Sequence, residues 1–144
     1  MELISADKVR AEIGRFWLIL SGKSSDKLED LYSPDGIVFT GKAKRPEPAM
    51  LAIARRARRA PASTATTAEI GTLELEIAGD VAIASYTYKY QEERMSDDGG
   101  RSQRNTLYGR ATQVFQACSN GAVKIVHEHL SAAVAPDEAA AKQK

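Results

Sequence analysis

The chain has 144 residues, 43% of them hydrophobic, and sets 20 lysines and arginines against 19 acidic residues, for a formal net charge of +1. A chain of this size buries about 68–70% of its unfolded surface in one core, and near-neutrality excludes a general polyelectrolyte attraction to nucleic acid or anionic lipid, leaving only local patches. The lone cysteine, Cys118, excludes an internal disulfide and a cysteine-based zinc site. The N-terminal stretch has neither the basic nor the apolar segment of a signal peptide, and no apolar run approaches the ~18–20 residues of a membrane span, so a soluble, cytoplasmic protein with no membrane partner is expected.

Val9, Ile13, Phe16, Trp17 and Leu20 recur at helical spacing behind Ser5 or Asp7, and Gly22 supplies a stop. "SSDKLEDLY" predicts a short second helix that buries Leu28, Leu31 and Tyr32 and ends at Pro34 and Gly36. "GIVFTG" reads as a brief strand, and "RPEPAMLAIARRARRAP" as a third helix entered through Pro46 and Pro48 and stopped before Pro61. From there the period becomes two: "TTAEIGTLELEI", "VAIASYTYKYQEER", "RNTLYGRATQVFQA" and "AVKIVHEHLSAAV" are strands separated by the turns "AGD", "SDDGG" and "SNG". Gly71 and Gly109 are candidate bend points in the long strands. Residues 1–134 form one predicted domain, and residues 135–144 have nothing to bury and read as a flexible tail.

This order of elements, with "LEDLYSPDGIVF" after the first helices and "RATQVF…NGAVKIVHEHLS" at the end, resembles the nuclear transport factor 2 superfamily over roughly residues 5–134. The likeness is to its SnoaL-like branch, of ketosteroid-isomerase-like fold, and to the association (hub) domain of calcium/calmodulin-dependent protein kinase II. It implies an α+β fold: a cone-shaped, strongly curved antiparallel sheet with about three N-terminal helices covering its concave face around a pocket, the convex face serving dimerisation. Function does not follow from fold here, because the superfamily holds isomerases, cyclases, dehydratases and noncatalytic assembly domains. The carboxylate base that the resemblance implies for ketosteroid isomerases falls near Thr40, which cannot serve as one, and Asp35 lies earlier, in a turn. The positions matching the hub's arginine pocket are Thr87, Gln113 and Leu130, none of them cationic.

The only two histidines, His127 and His129, flank Glu128. On a strand the histidines share a face and Glu128 takes the other, so the carboxylate cannot complete a metal site with them. A catalytic metal needs about three protein ligands, the strand neighbours offer Arg110 and Thr112, and no metal is assigned. One strand parity collects Ile83, Ser85, Thr87, Lys89, Leu107, Ala111, Gln113, Phe115, Val126, Glu128 and Leu130, the composition of a ligand cavity. The other collects Tyr86, Tyr88, Tyr90, Tyr108, Arg110, Thr112, His127 and His129, the composition of an interface core. The expected pocket therefore comprises Trp17, Tyr32, Thr87, Lys89, Gln113, Phe115 and Leu130 around Glu128 as general base, and the expected homodimer contact comprises Tyr86, Tyr88, Tyr108, Arg110, His127 and His129.

The remaining features point away from other classes. Cys118 sits in a turn without a neighbouring histidine and reads as a surface thiol. No glycine-rich phosphate loop precedes a helix. "ARRARRA" makes one helix face positive from Arg55 to Arg59, but without interleaved aromatics it reads as a solvated face, and nucleic acid is not an expected partner. The expectation is a SnoaL-like protein that takes a small, largely apolar molecule, with isomerase, dehydratase or cyclase chemistry by general acid/base catalysis and without a cofactor. The alternative is a noncatalytic homo-oligomeric assembly module.

Overall fold

A computed structural model describes residues 3–40, 44–59, 64–95 and 102–133. Helix α1 spans Ala6–Leu20. Ser5 caps it by accepting a hydrogen bond from the Lys8 amide at 3.3 Å, and its apolar stripe buries Val9, Ile13, Phe16 and Trp17. The helix ends where Gly22 turns left-handed at φ 74°, with its amide donating to the Ile19 carbonyl and the Lys23 amide to the Leu18 carbonyl. Those two bonds satisfy carbonyls that a helix end otherwise leaves open.

The second predicted helix is a single 3-10 turn, Leu28–Leu31, without a side-chain cap. Its two leucines lie three apart, which suits one such turn and offers too little apolar face for an α-helix. Strand β1 follows at Tyr32–Thr40, and the proline pair expected to open the third helix falls partly in a two-residue strand, β2, Glu47–Pro48. Helix α2 begins only at Ala49 and runs to Arg59. Among the described residues the helices therefore number two, with one 3-10 turn, where about three were expected.

The long strands are β3 Thr64–Ala78, β4 Val81–Met95, β5 Ser102–Ala117 and β6 Val123–Ala133. They form an antiparallel meander, and the sheet order β2-β1-β6-β5-β4-β3 places β1 beside β6 in parallel. The six-stranded sheet is thus mixed and curved, and it does not close. Gly79, at φ 63°, supplies the positive φ that the two-residue β3–β4 hairpin requires. Two irregularities bend the long strands. Ile70 pairs with Tyr88 and Leu73 with Tyr86, so Gly71 and Thr72 oppose Thr87 alone. Val114 pairs with His127 and Phe115 with Ile125, so Val126 is the extra residue in β6.

Helix α1 lies on one face of the sheet and is tied down at both ends. Ile4 donates to the Gly79 carbonyl and Lys8 Nζ to the Gly121 carbonyl, while Thr66 Oγ1 donates to the Ser21 carbonyl and Tyr90 Oη to that of Leu20. Between helix and sheet lies the core, in which Phe16, Phe115, Ile13, Leu31, Ile125, Gln113 and Val9 are the largest fully buried side chains. Among the described residues no helix is long and apolar enough to cross a membrane. The turn at 96–100 and the tail at 135–144 lie outside the described residues.

Candidate functional site

A glutamine and a glutamate stand in the middle of this core. Gln113 on β5 and Glu128 on β6 are directly paired across the sheet, and they retain 0% and 5% of their exposure. Burying a carboxylate costs several kcal/mol unless its oxygens are occupied, and here they are. Gln113 Nε2 donates to Glu128 Oε2 at 2.7 Å, and Tyr32 Oη, carried in by the start of β1, lies 2.9 Å from Oε1 and 2.8 Å from Oε2. Tyr86 Oη donates to Gln113 Oε1 at 2.6 Å and accepts from Trp17 Nε1 at 2.9 Å. One polar chain therefore runs from helix α1 through β4 and β5 to β6 and β1. Among the described residues no buried side-chain nitrogen or oxygen lacks a partner.

Desolvation pushes the Glu128 carboxyl above the ordinary glutamate range, against the opposing effects of the Gln113 and Tyr32 hydrogen bonds and the Arg56 charge. Burial also raises the hydroxyls of Tyr32 and Tyr86, as it does those of Tyr88 and Tyr90. Tyr32 is nearly equidistant from the two carboxyl oxygens, so its hydroxyl donates to the ionised group and is placed to accept from the protonated one. The Tyr32 hydroxyl is thus placed to serve the Glu128 carboxyl in either of its protonation states.

Around it stands an aromatic wall. The Trp17 ring lies 4.6 Å from that of Tyr88, 6.3 Å from Tyr86, 6.5 Å from Tyr90 and 5.1 Å from Phe16. Tyr88 reaches across Gly109 and donates to the Ser131 carbonyl at 3.3 Å. A Cβ at position 109 would sit 2.1 Å from the Tyr88 ring, so only glycine admits this crossing. Arg56, exposed on α2, carries a positive charge that partly opposes the burial-driven rise of Tyr32, Tyr88, Tyr90 and Glu128.

Of the residues expected around Glu128, the structure brings together Trp17, Tyr32, Gln113, Phe115 and half-buried Leu130 on the helix-covered side. Thr87 and Lys89 are on the opposite side, and Tyr86 and Tyr88 take their place inside. The expected phase of β4 is corrected by its register. Ala82 opposes Phe115, Ala84 opposes Gln113, Tyr86 opposes Ala111 and Tyr88 opposes Gly109. Each large side chain meets a small one across the strands, a fit that the reverse phase would forfeit. Set against β5, this alternation of sizes identifies Tyr86 and Tyr88 as inward, and Tyr90, opposite Leu107, follows them by strand alternation; nothing comparable points to Arg56.

On the outer side, Tyr108, Arg110, His127 and His129 lie with Thr87 and Lys89. The pairing aligns Ile37, His127, Val114 and Ile83 in one row across four strands, and Phe39, His129, Thr112 and Ser85 in the next. The Phe39 and His129 rings are 5.7 Å apart. A shallow hollow of about 400 Å³ is lined by Glu69, Ile70, Gly71, Thr87, Tyr88, Lys89, Tyr108, Gly109 and Arg110, with the Lys89 ammonium 5.8 Å over the Tyr108 ring. Its lining does not include Glu128. Among the described residues no three histidine, cysteine, aspartate or glutamate side chains gather as a metal-holding group. In the basic helix Arg55 pairs with Glu47, and the side chains of Arg58 and Arg59 lie outside the described residues.

Residues 9–135 match the pattern of the SnoaL-like domain. The chain belongs to the SnoaL-like family. Solved structures with the same fold include the beta subunit of the benzoate 1,2-dioxygenase from Burkholderia mallei, 19% identical, with a TM-score of 0.68 over 92% of this chain and 93% of that one. The CaMKII hub from S. rosetta is 20% identical, with a TM-score of 0.68 over 89% of this chain and 96% of that one. ActVI-ORFA from Streptomyces coelicolor is 12% identical, with a TM-score of 0.69 over 88% of this chain and 95% of that one. At these identities the likeness carries the fold alone. No curated protein matches the chain.

Proposed function

We propose that this SnoaL-like chain takes a small, largely apolar molecule against the aromatic wall of its helix-covered face, and that Glu128 is the group that moves a proton there. The observation that carries the reading is a carboxyl 5% exposed, raised in pKa by burial, and set against a tyrosine hydroxyl able to serve either of its protonation states. A group so poised suits proton abstraction or return at a carbon beside a carbonyl, the step shared by isomerases, dehydratases and cyclases, and it requires no cofactor. The Arg56 charge, which acts on Glu128 and the wall tyrosines from α2, favours a ligand with a polar or anionic end.

Trp17 is the only tryptophan, so its indole N–H gives a single cross-peak in a proton–nitrogen correlation spectrum. Titration with 2-naphthol, a flat enol of the proposed class, is expected to move that cross-peak saturably, and the Glu128→Gln variant to bind the same probe without its pH dependence. A cross-peak unmoved by 2-naphthol and by 1-tetralone removes the pocket reading.

A second reading is supported by the outer face, where Ile37 at 42% and Ile83 at 37% exposure stand in one row with His127 and Val114. An uncovered apolar row bordered by Tyr108, Arg110 and the histidines fits a homodimer contact. In that reading the chain is an assembly module and the polar chain around Glu128 is structural.

A further inference from the structure

The atoms of the polar chain can be ordered by what each is able to do. An indole N–H donates and never accepts, so the contact of Trp17 Nε1 with Tyr86 Oη occupies a lone pair of that hydroxyl. The single Tyr86 proton must then point onward, to the Gln113 side chain 2.6 Å away. The amide atom that receives it has to be the carbonyl oxygen, which turns the Gln113 NH2 toward Glu128 Oε2, 2.7 Å away. Tyr32 Oη faces both carboxyl oxygens, at 2.9 Å from Oε1 and 2.8 Å from Oε2, but only Oε2 also receives the Gln113 NH2; Oε2 is thereby favoured as the acceptor, and Oε1 is left as the oxygen better able to carry a proton. We propose that Trp17, Tyr86 and Gln113 form a one-way hydrogen-bond chain that confines the exchangeable proton of Glu128 to Oε1, making Trp17 and Tyr86 positioning residues for that carboxyl. As a statement about catalysis this rests on the reading of Glu128 as the proton-moving group; as a statement about hydrogen bonding it does not.

Removing the indole N–H releases the chain. In Trp17→Phe the Tyr86 hydroxyl is free to accept instead of donate, the Gln113 amide is free to turn its oxygen toward Glu128, and Oε2 gains a partner for a proton. The protonated form is favoured and the ionised form loses a donor. The charged and titratable groups acting on Glu128 are Tyr32 from β1, Tyr86 and Tyr88 from β4, and Arg56 from α2, and all remain in this variant except as Tyr86 reorients.

The test is a carbon-13 NMR titration of the Glu128 side-chain carboxyl, assigned by its absence in Glu128→Gln. The midpoint is expected to rise by about one pH unit in Trp17→Phe and in Tyr86→Phe. A lower melting temperature with an unmoved midpoint would show a packing role only and overturn the chain. Should both variants fail to fold, the native protein decides. Nuclear Overhauser contacts from the Gln113 NH2 protons to the Glu128 side chain support the chain, and contacts to the Tyr86 ring edge instead overturn it. The midpoint judges the chain and the 2-naphthol titration judges the functional reading, so either can fail alone.

Discussion

Glu128→Gln tests the central site through folding stability. Glutamine keeps the shape and can keep the bonds: its oxygen in the place of Oε2 accepts from Gln113 and Tyr32, and its NH2 in the place of Oε1 donates to the Tyr32 hydroxyl. What it removes is the charge. In the native protein the Glu128 carboxyl titrates above its unfolded value because burial outweighs the hydrogen bonds and the Arg56 charge. The unfolded chain therefore releases this proton first as pH rises. The stability contributed by the protonated carboxyl is fully present below the unfolded pKa and is lost as pH rises through the folded one. Each unit of separation between the two is worth about 1.4 kcal/mol. The variant has no such proton to lose. The difference in unfolding free energy, variant minus native, is thus expected to climb across that window and then stay level. Near neutral pH the variant's stability relative to the native protein should therefore exceed its value at acid pH, each kcal/mol of that gain raising the melting temperature by about 2–4 °C for a chain of roughly this length. Urea midpoints of both proteins at half-unit pH steps measure it, and the shared titrating groups cancel in the difference. A difference that falls with pH would mean the carboxylate is held ionised in the fold, and the assignment of Glu128 as a proton-moving group would be lost with it.

Two substitutions at glycines should act in opposite directions. Gly109→Ala drives a Cβ to 2.1 Å from the Tyr88 ring, so Tyr88 must leave its bond to Ser131 and its contact with Trp17; a loss of about 1–3 kcal/mol and a changed tryptophan emission are expected. Gly14→Ala, in mid-helix with nothing within 4 Å of the new carbon, should instead stabilise by about 0.5–1 kcal/mol, and thermal melts of the two variants check both. Ile83→Lys places a charge in the outer apolar row without touching the core, and light scattering should show a native dimer reduced to a monomer of unchanged melting temperature if that row is the contact. A native protein that is already monomeric at high concentration removes the contact altogether.

The periodicities show where the chain changes from helix to meander, because strand alternation over 11 to 16 residues is a long signal. They fail at the short elements. A single 3-10 turn and a two-residue strand each bury too few side chains to leave a pattern, so Leu28–Leu31 reads as a helix and Glu47–Pro48 as its continuation. The parallel pairing of β1 with β6 joins segments some ninety residues apart, as in Val38 with Glu128, and no local pattern encodes it. In β4 the failure has a different cause. Tyrosines suit an interface and a core equally well, since the ring is apolar and the hydroxyl needs only one partner. Composition cannot choose between the two. Tyr86 finds its partners in Trp17 and Gln113, both far away in sequence, and only the size match with β5 fixes the phase.

The facing of Glu128 depends on one residue. Val123 and Ile125 are buried, and strict alternation from them would carry His127 and His129 inward and leave Glu128 outside. Val126 is taken up as the extra residue opposite the Val114–Phe115 step, so Ile125 and Glu128, three apart, share the inner side. The same device recurs in β3, where Ile70 and Leu73 both pair with inward tyrosines across the extra residue at Gly71 and Thr72. There a glycine leaves room for the crossing, because a Cβ would meet Thr87 Oγ1 at 2.3 Å; the β6 bulge carries no glycine to announce it. Phase in this sheet is therefore reset by bulges, and the chemistry follows the reset. With Val126 bulged, a carboxyl meets Gln113 and Tyr32 beneath the helix and the imidazoles look out beside Phe39. Without it, two imidazoles would enter a core whose arranged donors, the Gln113 NH2 and the Tyr32 hydroxyl, are suited to an acceptor.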